Sequence, residues 1–200
     1  MSSNRHSFFL NWFGPNAEVQ HHVQLDTPLA NLIVWTSAQD YERWNISFSF
    51  GGANAGGITH IQVILRPNNE FYSAVRYGSW VDLSDPQGLT TVEIKGAPTA
   101  YSTSTAQYIF TAPLANQITM RRIIACMASH IPGYRLRLSG KGSAGWVYMV
   151  LQALTREGIL PPDTMSAFEI AIQSLRQRSA VAASRIAFPP AFGTVINANQ

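Results

Sequence analysis

The chain has one cysteine, Cys126, so it forms no internal disulfide, and a reducing compartment is expected. Charge is also scarce: 12% of the 200 residues are Asp, Glu, Lys or Arg, against 46% apolar. A chain of that composition is not disordered. It must bury much of itself, line an apolar cavity, or pair with a copy of itself, so a homodimer is a candidate arrangement. Fourteen Lys and Arg stand against eleven Asp and Glu, a net +3, and the basic residues are scattered. Without a basic stripe interleaved with aromatics, no nucleic-acid partner is expected. No apolar run approaches the ~20 residues of a spanning helix, so no membrane insertion is expected. Residues 1–11 hold no long apolar core and no small-residue cleavage pattern, which points to a cytoplasmic protein. No Cys/His or carboxylate cluster has metal-ligand spacing. His21 and His22 are neighbours in a strand and face opposite ways. Neither metal nor cofactor is expected.

What is present is a β-rich first half followed by helices. Ser7–Phe13 and Glu18–Leu25 flank a Gly14-Pro15-Asn16 turn and predict a hairpin. Leu29–Thr36 and Trp44–Phe50 are further strands. In the second, Trp44, Ile46, Phe48 and Phe50 alternate with Asn45, Ser47 and Ser49, the clearest period-two signal in the chain. Residues 51–57 are a glycine-rich connection without the Gly-Lys-Ser/Thr ending of a phosphate loop. Ile58–Leu65, Phe71–Tyr77, Thr90–Lys95 and Tyr101–Phe110 complete the strands. A helix is predicted over 111–129, with Thr111 as cap and Pro113 in its first turn. Tyr134–Leu138, Gly140-Lys141-Gly142 and the apolar run to Gly158 predict strand, turn and helix. A third helix runs from Pro161 to about Ser179. The expected fold is α+β: an antiparallel sheet, mostly in the N-terminal half, packed on two or three C-terminal helices. Residues 1–186 form one domain and 187–200 an extended tail.

Few residues here offer chemistry. Ser143 stands where the 143–158 helix begins. It is an N-cap in the plain reading and a nucleophile in the functional one, since a helix start stabilises developing negative charge. A nucleophilic serine needs a base, and His6, with an ordinary pKa of about 6.5, is the candidate; as a surface imidazole it needs no role. Tyr134 and Tyr148 are candidate donors to a substrate carbonyl. Trp12, Phe48, Phe50, Tyr72, Trp80 and Trp146 are candidate walls of an apolar ligand site, with plain core as the alternative. Cys126 lies between Ile124 and Met127 and is expected to be an inert packing residue.

His6 ahead of a first strand, the Tyr134-Arg135-Leu136 strand, the Gly-x-Gly turn and the Trp146 helix together resemble a family of small fungal proteins of uncharacterised function. That family is similar to a rearranged NlpC/P60 papain-like group, in which His precedes Cys in the chain. The group's Gly-x-Gly-Cys-Arg-x-Trp stands here as Gly140-Lys141-Gly142-Ser143-Ala144-Gly145-Trp146. The resemblance spans most of residues 4–160 and implies an NlpC/P60-like fold with His6 and Ser143 near each other. Ser143 replaces the thiol and Ala144 the arginine, so papain-type thiol hydrolysis is not implied.

Three functions follow as expectations. One is a cofactor-free biosynthetic enzyme of secondary metabolism. It would hold an apolar small molecule folded for cyclisation, as in a Diels–Alder cycloaddition, and preorganisation would lower the barrier. Another is a catalytically inactive papain-like binding or interaction domain. The third is a Ser/His hydrolase or acyltransferase using Ser143 and His6.

Overall fold

The centre of the molecule is β3, Trp44–Phe50, the strand with the clean alternation. In the computed structural model, which describes residues 18–19, 25–39, 41–52, 57–66, 91–131, 134–135, 142–190 and 194–195, it lies in the interior of a mixed sheet. Its antiparallel neighbours are β2 (Leu29–Ser37) and β4 (His60–Arg66). β5 (Thr91–Ala97) pairs antiparallel with β4, and β6 (Ala106–Pro113) with β2. These five strands make an antiparallel sheet. The two-residue β1 (Glu18–Val19) joins it parallel to β5, giving the order β1-β5-β4-β3-β2-β6. Of the predicted 7–25 hairpin, Glu18–Val19 is strand and pairs with β5, and Leu25 lies in a turn and not in the strand; the pairing of the two arms falls outside the described residues.

The helices cover one face. They are α1 (Met120–His130), α2 (Ser143–Arg156), α3 (Thr164–Arg178) and the short α4 (Ala180–Arg185). Leu32 and Val34 of β2, Ile46 and Phe48 of β3, and Ile61 and Val63 of β4 point towards them and are fully buried. Each such side chain contributes roughly 1.5–3 kcal/mol by leaving water. Phe168 of α3 joins the layers, its ring edge-on to Trp44 at 6.1 Å and to Phe110 at 5.5 Å. No helix among the described residues is long and apolar enough to cross a membrane.

The opposite face is covered differently. β5 and β6 are consecutive in the chain but lie on either side of β4, β3 and β2, so residues 98–105 must pass across the sheet. Ser47 Oγ donates to the Ala100 carbonyl at 2.6 Å, Gln62 Nε2 donates to the Thr99 and Ala100 carbonyls, and Tyr101 packs against Trp35. Asn45 and Ser47, expected on an outward face, are therefore buried too.

The helix expected from Thr111 begins instead at Met120, where Thr119 caps it by accepting from the Arg122 N–H. Thr111 and Pro113 belong to β6, and Thr111 Oγ1 donates to the Leu32 carbonyl. Pro113 has no N–H, and an outer strand tolerates that as well as a first helical turn does. The strand predicted from Tyr101 starts at Ala106, because 102–105 turn the crossover into β6. Gly158, with φ of +67°, ends α2 as expected, and the N–H groups of Ile159 and Leu160 close back on Leu154. Beyond α4, Thr194–Val195 (β8) pairs with Tyr134–Arg135 (β7), so the segment expected as an extended tail adds a strand next to the Tyr134 segment.

Phe168→Ala should cost about 3–5 kcal/mol in urea unfolding, because the ring fills the joint between α3 and two strands. Gln173→Ala, on the exposed side of the same helix, should stay within about 0.5 kcal/mol.

Candidate functional site

The start of α2 holds the first cluster of candidate groups. Gly142 is its N-cap, with φ of 120°, and makes no side-chain cap. Ser143 is one residue further on and does not cap, which corrects the simpler expectation. Its hydroxyl donates to the Glu42 carbonyl at 3.0 Å and accepts from the Trp44 N–H at 2.9 Å. Both hydrogen-bonding roles are thus engaged by the turn between β2 and β3. That turn holds Tyr41 at φ of 54°, a conformation side chains rarely adopt. Trp44 Nε1 donates to the Tyr41 carbonyl, Thr36 Oγ1 to the Arg43 carbonyl, and Arg185 lies 3.6 Å from Glu42. The arrangement ties helix start to strand start.

The other expected site residues are dispersed. Trp146, Phe48 and Phe50 lie in the apolar core, and almost no surface is left on their rings for a ligand. Tyr148 donates its hydroxyl to Glu169 Oε1 at 2.9 Å, linking α2 to α3, and this contact raises its pKa. Of Tyr134 only the strand position is described. His6, Trp12, Tyr72 and Trp80 lie outside the described residues.

A second cluster joins α1 to the end of α2. Glu157 accepts from Arg122 at one oxygen and from His130 at the other, both at 2.9 Å. These partners, His130 first, hold its carboxyl below the usual range. Cys126 is on the same helix between them and is buried; desolvation, aided by the Glu157 charge, pushes its thiol up to about 11. A thiol so placed is no nucleophile at neutral pH. Arg121, the neighbour of Arg122, grips Asp26 through two nitrogens at 2.7 and 3.0 Å. The densest basic pair in the sequence is therefore neutralised. No three His, Cys, Asp or Glu side chains converge as metal ligands among the described residues.

The crossover face holds the polar groups that the sequence did not single out. Asn31, Ser49 and His60 lie side by side on β2, β3 and β4. Asn31 Nδ2 donates to Ser49 Oγ at 3.2 Å. Thr59 Oγ1 donates to the Pro98 carbonyl at 2.7 Å, so at its 2.7 Å contact with His60 it accepts from Nδ1–H. Burial lowers the His60 pKa, so the ring is neutral near pH 7 with its lone pair on Nε2. Further along the face, Trp35 Nε1 donates to Ser47 Oγ, the Tyr101 ring lies 6.1 Å from the Trp35 ring, and Tyr108 stands opposite Trp35 on β6. Tyr108 is 43% exposed, one of three large hydrophobic side chains so placed among the described residues. Period-two alternation does mark Asn31 and Ser49 as facing away from the helices. Their alignment with His60 depends on strand register, which no local pattern carries.

Residues 56–193 match a family described as a domain of unknown function, DUF7770. The chain belongs to that family. No curated protein and no solved structure matches it. The DUF7770 span takes in β4 to β6, the crossover and the four helices among the described residues, together with Ser143, Tyr148 and the Arg122–Glu157–His130 cluster. β2, β3 and the turn between them, which supply Asn31, Ser49 and the partners of Ser143, precede it.

Ser143→Ala should destabilise the protein by about 1–3 kcal/mol, since it leaves the buried Trp44 N–H without an acceptor. Equilibrium urea unfolding measures this. Glu157 sets a pH dependence. Its folded pKa lies below the unfolded value of about 4.3, so its contribution is complete above that pH and is lost as pH falls through the folded value. Melting temperatures between pH 7 and pH 3 should show the wild type losing more stability than Glu157→Gln.

Proposed function

We propose that this protein is a non-catalytic recognition domain that binds through the crossover face of its sheet. The observation that carries the reading is the Ser143 hydroxyl. Its proton is directed at the Glu42 carbonyl and its lone pair at the Trp44 N–H, so it serves as a tether between helix and turn. A nucleophilic serine instead needs its proton directed at a base. The buried, raised thiol of Cys126 offers no substitute. Three of the six expected ligand walls are core residues, and the cyclisation reading then rests on His6, Trp12, Tyr72, Trp80 and Tyr134. The crossover face, by contrast, presents partly exposed aromatic and mostly uncharged polar groups, with Lys95 beside Gln62, on a rigid scaffold.

The test is a titration of the isotopically labelled full chain with fractionated small-molecule extract, following backbone amide shifts. Shifts should gather on the outward residues of β2, β3, β4 and β6 and on 97–105. Shifts gathered at 41–44 and the first turn of α2, or turnover that Ser143→Ala abolishes, would return the catalytic readings.

A further inference from the structure

The ligand class follows from which hydrogen-bonding valences on that face are filled. Asn31 uses its amide N–H on Ser49, and its carbonyl oxygen Oδ1 has no partner among the described residues. Ser49 Oγ accepts that bond, and its own hydrogen is unassigned. His60 is held through Nδ1 by Thr59, which leaves Nε2 as an acceptor. Each group is therefore fixed by one contact and keeps one valence for something else. The spare set is acceptor, donor, acceptor across three adjacent strands, spaced by about 4.8 Å per strand. It bears no charge.

Ser49 and His60 form a non-hydrogen-bonded cross-strand pair, because the flanking Phe50 N–H donates to the Thr59 carbonyl. Side chains in such pairs stand closest together. The next row on this face is two positions along each strand, and Trp35 is four positions from Asn31. Along β2, Asn31 and Trp35 are therefore about 13 Å apart at the usual rise per residue, with the half-buried Ile33 between them, while over β3 and β4 the crossover lies between the row and the rings.

We infer that this face binds a neutral saccharide, with the Asn31–Ser49–His60 row receiving hydroxyls and the Trp35–Tyr101–Tyr108 rings packing on the apolar face of a sugar ring. The inference rests on the recognition reading above. Sugar hydroxyls both donate and accept, which suits alternating valences. An anion would meet two acceptors in this row, and a cation would find no carboxylate in it. An extended peptide that joins a sheet does so at its edge, through main-chain bonds, and this row lies on a face. Preorganisation by internal ties reduces the ordering cost on binding, which matters for a ligand whose hydroxyls are otherwise well solvated.

The experiment uses the full chain and three neutral disaccharides as probes: maltose, cellobiose and diacetylchitobiose. Amide shifts are followed by NMR during titration. At least one should bind with a dissociation constant of about 1 mM or tighter and shift residues on β2, β3, β4 and 97–105. Asn31→Ala and Tyr108→Ala should each weaken it about tenfold or more, the loss expected for one well-placed contact. Tyr108 is on the surface, so its variant should keep the wild-type melting temperature and separates lost contact from lost fold. Silence from all three sugars, binding elsewhere, or unchanged affinity in both variants overturns the inference. If the sugars are silent while extract fractions still shift this face, the ligand class is wrong and the recognition reading stands. If both are silent, both fall.

Discussion

One hydroxyl near the middle of the sheet holds the second layer of the protein in place. Ser47 Oγ gives its hydrogen to the Ala100 carbonyl and takes one from Trp35 Nε1. It has this role because the strand order separates β5 from β6 by three strands. The chain must cross the sheet to get from one to the other, and the crossing segment brings carbonyls that need donors. Ser47 and Gln62 supply them from the floor, and Thr59 supplies one from the rim. With the crossover fixed, β3 is buried on both faces, and the polar row beyond the crossover is left rigid and partly open.

The helical side depends on a comparable tie. α2 starts at a glycine and lacks a side-chain cap, so its first turn is placed by Ser143 reaching the β2–β3 turn. That turn is strained at Tyr41 and is held by bonds from Thr36, Asn45, Trp44 and Ser143. A residue that looks catalytic in sequence thus has a sufficient structural role. The DUF7770 match starts after these strands, so the tether joins the matched span to the part of the chain ahead of it.

Much of the fold was legible in the sequence. The alternation in 44–50 located β3, and the apolar runs closed by glycine or opened by proline located α2 and α3. Three things were not legible, each for a physical reason. Pro113 satisfies two local environments equally, and only the pairing of β6 with β2 decides between them. A parallel partner for Glu18–Val19 is a long-range event without a local signal. Polar residues such as Ser47 and Asn45 look solvated until a crossover is laid over them. For the candidate site the same limit applied more severely. Ser143 stood out because it follows a glycine turn, whereas Asn31, Ser49 and His60 are separated in sequence by 18 and 11 positions and meet only through register.

The lone thiol has a practical consequence. Cys126 is enclosed by α1 and its neighbours and holds its proton well above neutral pH. Maleimide and iodoacetamide reagents act on exposed thiolate and should pass it by. A cysteine placed on the surface of the unaltered chain can then carry a single dye or spin label, so distances across the sheet can be followed without first removing the native one.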